Sequence, residues 1–154
     1  MELNRVQQLM TVLPTTESDS LRTAYVGQFI NTASQHYQRY IAKYESFSDG
    51  LCYTGYLWDC LRQKRQATEE EIRTFLAQKA HVFVMWDVHS QDRIRIRDYW
   101  KFPKRSVLSA DAGDVLDSLR YLPEDLYIFD DSLDWTCVLT HEDVDGHRLC
   151  FLER

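Results

Sequence analysis

At 154 residues the chain has room for one ordinary domain and too little length for two. Its hydrophobic fraction of 44% and aromatic fraction of 13% supply a core and exclude disorder as the default state. A net charge of −6 and a pI near 5.3 argue against a general nucleic-acid binder, whose surface is normally basic.

That charge is unevenly placed. From Lys104 onward five Lys/Arg (104, 105, 120, 148, 154) face twelve Asp/Glu, so the C-terminal third carries the whole imbalance. Such a field steers a basic partner toward that third. The opening MELNRVQQLMTVLP holds no long apolar run, and no window approaches the roughly 18 apolar residues of a membrane span. The expectation is a cytoplasmic protein without a membrane partner, in which Cys52, Cys60, Cys137 and Cys150 are reduced thiols. Their spacings match no zinc pattern, and no metal or other cofactor is expected.

Leu3, Val6, Met10 and Leu13 stand three or four residues apart and predict a short amphipathic helix that Pro14 ends. TTESDS then offers N-cap oxygens to the clearest helix of the chain. In it Leu21, Tyr25, Phe29, Ala33, Tyr37, Ile41 and Tyr44 recur at helical spacing as far as about Glu45. SFSDG is a break, and a third helix fits Tyr53 to Lys64 with Leu57, Trp58 and Leu61 inward. Thr68 with Glu71 three residues on forms a capping box, starting a fourth helix that turns Ile72, Phe75 and Leu76 to one side and ends near Lys79.

From His81 the hydrophobic period falls to two. HVFVMWDV, nearly continuous in apolar residues, reads as a central strand covered on both faces. RIRIRDYW reads as a strand with Arg93, Arg95 and Arg97 on one face and Ile94 and Ile96 on the other. That basic face is either a binding surface or an outer strand whose charges discourage edge pairing. SADAGDVLDSLRYL supports a short helix with Val115, Leu116 and Leu119 inward. The closing stretch, Leu126 to Glu153, reads as a three-strand meander with two acidic turns. In its first strand Tyr127 and Phe129 share one face, Leu126 and Ile128 the other; in its second, Trp135, Cys137 and Leu139 alternate with Thr136, Val138 and Thr140. Asp145-Gly146 is a tight-turn pair. Depending on the hairpin register, Cys150 falls opposite Cys137 or near His141.

The fold class is therefore α+β: one domain over 1–154, N-terminal helices on one face of an antiparallel sheet of about five strands, ending in the meander. Asp130, Asp131 and Asp134 lie in the first acidic turn, and Glu142, Asp143 and Asp145 in the second. Successive turns of a meander lie at opposite ends of the sheet, so these six carboxylates suit two acidic rims, or one acidic rim plus a structural turn whose Asp side chains bond nearby backbone N–H groups, and no single catalytic cluster. His141, Glu142, Asp143, Asp145 and His147 invite a metal reading, but neither the calcium-loop spacing nor an HExxH helix is present. No GxSxG or Gly-rich phosphate loop occurs.

Gly55-Tyr56-Leu57-Trp58-Asp59, Asp125-Leu126-Tyr127-Ile128, and Trp135-Thr136 with Thr140-His141-Glu142 stand in the order of a recognisable pattern. It resembles that of a family of small uncharacterised bacterial domains: YLW(H/D), a D-(I/L)-Y-(I/V) strand, an acidic turn and a WTxxxTHE strand. The resemblance implies one compact bacterial cytosolic domain and assigns no catalytic residue. In size and charge the chain also resembles immunity proteins that neutralise toxins.

The resulting expectation is a binding protein that inhibits a basic protein partner, such as a nuclease toxin domain. Asp130, Asp131, Asp134, Glu142, Asp143 and Asp145 would meet its Lys/Arg, with Trp135 or Tyr127 as the central anchor if exposed. Two alternatives are a small metal- or thiol-dependent enzyme centred on His141, and a subunit that binds through the Arg93, Arg95 and Arg97 face.

Overall fold

Seven strands form one sheet in a computed structural model that describes residues 7–47, 50–88 and 104–154. In chain order they are β1 (Thr11–Val12), β4 (Gln66–Ala67), β5 (His81–Met85), β6 (Leu108–Asp111), β7 (Leu126–Phe129), β8 (Thr136–Val144) and β9 (His147–Glu153). The order across the sheet is β1-β6-β5-β7-β8-β9-β4, and every pairing is antiparallel. β2 (Glu45–Phe47) and β3 (Gly50–Cys52) form a separate ribbon. The helices are α1 (Thr15–Phe29), α2 (Gln35–Tyr40), α3 (Glu69–Leu76) and α4 (Ala112–Ser118). The α+β class holds, with seven strands in the main sheet where five were expected. Arg93, Arg95 and Arg97 lie outside the described residues.

Alternation along the central strands builds two cores, because successive side chains leave opposite faces of a pleated sheet. Val82 and Val84 of β5 and Leu126 and Ile128 of β7 join Ile72 and Leu76 of α3 and Ala112 and Val115 of α4. On the other face Met85, Tyr127, Phe129 and Val138 meet Tyr25 and Phe29 of α1. The N-terminal helices thus cover one face as expected, and α3 and α4 cover the second.

Several local expectations give way to tertiary contacts. The first expected helix reaches only residue 9, and Thr11–Val12 pairs with β6 as β1. The long helix starts directly after Pro14 and stops at Phe29. There the chain bridges to Leu61, with Asn31 N–H donating to the Cys60 carbonyl at 2.7 Å and Arg62 N–H to the Phe29 carbonyl at 2.9 Å. α2 restarts behind Ser34, whose hydroxyl accepts the Tyr37 N–H. The expected third helix is a single 3-10 turn, Leu57–Cys60. Its backbone N–H groups find buried side-chain acceptors in place of helical carbonyls: Leu57 N–H donates to Asp87 (3.0 Å) and Trp58 N–H to the Tyr127 hydroxyl (2.9 Å). Ser109–Asp111, expected as helix, forms most of β6. The capping oxygen of α3 is as expected, Thr68 accepting the Glu71 N–H at 3.0 Å.

Candidate functional site

The two acidic turns fall at opposite ends of the sheet. Thr136, just after the first turn, pairs with Glu153, while Val144, just before the second, pairs with His147. The two turns are built differently. In the first, Asp130 accepts from the Ser132 N–H (3.0 Å), the Ser132 hydroxyl and the Trp135 indole N–H (3.0 Å). Burial alone would raise its carboxyl, but these hydrogen bonds and the charge of Lys79 outweigh burial and hold it below the usual carboxylate range. Trp135 is buried, edge-on to Phe75 at 5.1 Å, and Tyr127 is fully buried. The anchor role given to Trp135 is therefore corrected. Its strand alternation directs the ring into the core beside α3, and its N–H is committed to Asp130. Asp131 and Asp134 remain exposed.

In the second turn, Asp145 (φ 52°) and Gly146 (φ 82°) make a tight hairpin bend. β7 pairs with β8 only from Thr136 to Leu139. Beyond that point the β8–β9 register shifts at a bulge between Leu139 and Asp143. Residues 141–147 are all exposed, so the hairpin continues as a two-stranded arm past the end of β7. Glu142, Asp143 and Asp145 stand on this arm with no side-chain partner among the described residues, around a Val144 that is 50% exposed. A groove of about 430 Å3 separates the arm from the start of α3 and brings Glu69 and Glu71 to the same end. In the sequence Glu71 is legible only as the capping-box partner of Thr68. The signal was the EEE run at α3's first turn, but linking it to the arm needed the β4–β9 pairing.

The arm is fixed at its root by the segments that carry the motif resemblance. Asp125, buried beneath β8, accepts from the Trp58 indole N–H (3.0 Å) and the His141 N–H (3.0 Å). His141 Nδ1 lies 3.0 Å from each Asp125 oxygen. Tyr56 and Trp58 rings flank the imidazole at 5.1 and 6.2 Å. Deeper in, Asp87 accepts from the hydroxyls of Tyr53 (2.8 Å) and Tyr127 (2.6 Å). Burial pushes both phenols well above their ordinary range, and the charge of Asp87 adds to it. Gly55 enters because a Cβ there would stand 2.8 Å from Tyr40 Cβ and 3.0 Å from Ile41 Cγ1. These motif residues hold the 3-10 turn, β7 and β8 together.

The chain matches no family model, no curated protein and no solved structure.

Chemically, a ring held at Nδ1 by Asp125 leaves Nε2 as its remaining polar atom. Among the described residues no group of three or more His, Cys, Asp and Glu is arranged to hold a metal ion. Cys150 sits opposite Leu139, two pairs along the ladder from Leu152, which faces Cys137. Burial pushes its thiol up to about 11 and that of Cys137 to about 12, so neither supplies a thiolate nucleophile near neutral pH. Among the described residues no helix is long and apolar enough to cross a membrane.

Proposed function

We propose that the chain is an acidic binding protein that neutralises a basic protein partner in the cytoplasm. The reading that fits best is a bacterial toxin immunity protein acting on a nuclease toxin, within the group of small bacterial domains whose motif it resembles. The arm carries this reading. It overhangs the sheet with three uncommitted carboxylates around a half-exposed valine, and α3 adds further glutamates beside it. Apolar area at the centre of a charged rim is the usual anatomy of a protein interface. A nuclease binds phosphate and so presents Lys and Arg, the complement of this rim. Opposite fields of this kind raise encounter rates by roughly 10- to 1,000-fold at low salt. Asp131 and Asp134 form a smaller acidic rim at the far end of the sheet.

The test is capture from the native lysate at low salt, followed by a salt gradient. The tagged chain is compared with an arm variant (E142Q/D143N/D145N) and a far-end variant (D131N/D134N). The expected result is one basic protein in stoichiometric yield, released at lower salt from the arm variant than from the wild type. Its nuclease activity is suppressed by adding the wild-type chain. Recovery of the chain alone, or elution at one salt concentration from all three, overturns the reading.

A further inference from the structure

A serine, a histidine and an aspartate converge on β5 and β6, well away from the β8–β9 arm in the strand order. His81 opens β5, and Ser109 and Asp111 lie on β6. The register sets His81 opposite Asp111 and Phe83 opposite Ser109. Directly paired residues of an antiparallel ladder share a face, and so do residues two apart along a strand. The backbone therefore places all four side chains on one face before any rotamer is chosen. Further along that face Phe83 packs on Phe129 at 5.6 Å, at the margin of the core. His81 and Asp111 are exposed and Ser109 is half-buried, so the cluster is open to a reagent.

The contacts run in series. Ser109 Oγ lies 2.5 Å from His81 Nε2. On the other side of the ring, His81 Nδ1 lies 3.8 Å from Asp111 Oδ1. The Phe83 ring stands edge-on to the imidazole at 6.1 Å and limits its tilt. Asp111 occupies the N-cap position of α4 but makes no side-chain cap bond, and its carboxylate faces His81 instead. A hydroxyl at one ring nitrogen and a carboxylate at the other is the order of nucleophile, base and orienting group. The Asp111 separation is longer than a direct hydrogen bond, and contacts of this kind tighten when a substrate seats.

We propose that Ser109 is a nucleophile that accepts an acyl group from an activated ester, with His81 as its general base and Asp111 as a positioning residue. The site is independent of the binding reading above. Ser109 Oγ adds to the ester carbonyl carbon while its proton passes to His81 Nε2. The bond from that carbon to the leaving oxygen then breaks, the acyl group stays on Oγ, and the leaving group departs as an anion. His81 returns the proton to solvent. A free serine hydroxyl is a weak nucleophile, and an adjacent base supplies the missing activation. An aryl ester is the matching substrate class, because its leaving anion is stable without an acid to protonate it. The step needs the ring proton on Nδ1, the tautomer that an acceptor beside that nitrogen favours.

The full chain, treated with p-nitrophenyl acetate, tests this by p-nitrophenolate release and by peptide mass spectrometry of the acetylated product. The expected result is one acetyl group on Ser109. His81→Gln keeps a polar side chain beside the hydroxyl but cannot take its proton, and is expected to slow acetylation of Ser109 by about 100-fold or more. Asp111→Asn keeps a capping residue type for α4 and is expected to slow it by less. Imidazole 15N shifts supply the readout that a purely structural role would not move. They are expected to place the His81 proton on Nδ1 in the wild type and to shift it toward Nε2 in Asp111→Asn. Acetylation confined to lysines or the N-terminus, an equal rate at Ser109 in His81→Gln, or a wild-type ring protonated on Nε2 overturns the proposal. An Asp111→Asn chain with the wild-type rate and tautomer overturns the role of Asp111.

Discussion

Asp130 lies in the first turn of the meander and Asp143 on the strand that leads into the second, and they do different work. Asp130 is folded back on its own turn, accepting from Ser132 and the Trp135 indole. Asp143 stands on the arm with nothing to accept from among the described residues. The difference comes from the neighbours. The first turn follows a strand buried on both faces and must seat Trp135 in the core, so its carboxylate is needed to satisfy an indole N–H. Residues 141–144 have left β7 behind and have no core to close. Asp87 and Asp125 extend the contrast, as buried carboxylates that each gather donors from distant segments. Acidic residues inside this sheet are architectural, and those beyond its edge are available.

The largest break of this comparison is expected at Asp87. In Asp87→Asn one acceptor oxygen becomes an NH2 group facing either the Tyr53 hydroxyl and the Leu57 N–H or the Tyr127 hydroxyl. Leaving such donors unsatisfied costs about 1–3 kcal/mol each, so about 3 kcal/mol or more of unfolding free energy is lost. Urea denaturation measures it. A loss below about 0.5 kcal/mol, the range of ordinary surface substitutions, would place Asp87 with the arm residues.

The second effect separates the turns directly. Asp130→Asn removes a capping acceptor and is expected to cost about 1 kcal/mol, whereas Asp131→Asn next to it costs almost nothing. The pH dependence carries the sharper signature. Asp130 has its folded value depressed, so its contribution is present above the ordinary carboxylate range and is lost as pH falls through the folded value. The wild-type chain therefore loses stability on acidification that Asp130→Asn does not. Parallel stability curves for the two proteins below pH 5 would remove Asp130 from the architectural class.

Much of the sheet was legible because its signals are local. The faces of β7 and β8, the Thr68 cap and the Asp145-Gly146 bend follow from alternation and turn chemistry, and all occur as read. The helical half was less legible. Its apolar spacing suggested helices through Ala33 and through Trp58, but a spacing cannot reveal that Cys60 and Phe29 exchange backbone bonds with each other's neighbours, or that Asp87 and Tyr127 supply acceptors to the 57–60 backbone. Of the candidate site, the exposed carboxylates were legible as turn residues, and Ser34 as an N-cap was there to be read. The anchor role of Trp135 failed because an aromatic beside an acidic turn looks the same in sequence whether it faces solvent or α3. The pinning of His141 by Asp125 joins residues 16 apart in chain through a lateral strand contact, which no local pattern encodes.

The smallest expected effect runs in the opposite direction. Glu153, at the end of β9, is 4% exposed and accepts the Gln63 N–H at 3.1 Å. Burial raises its carboxyl, and the Gln63 bond and the charge of Arg65 only partly offset this. A raised folded value means the native state binds that proton more tightly than the unfolded chain does. Its stabilising contribution is complete below the ordinary carboxylate range and is lost as pH rises through the folded value. At neutral pH the ion sits partly desolvated among β9, the Gln63 backbone and Arg65. Glu153→Gln keeps a carbonyl oxygen for the Gln63 N–H while removing the charge. The variant is therefore expected to match or slightly exceed the wild type at pH 7 and to gain nothing below pH 4, a slope opposite to that of Asp130. Thermal melts of both proteins from pH 3.5 to 7.5 measure the difference. A variant less stable than the wild type at pH 7 and equal to it below pH 4 would show that the Glu153 charge is held by Arg65 more strongly than burial opposes it, and would make this carboxylate an ion-pair partner.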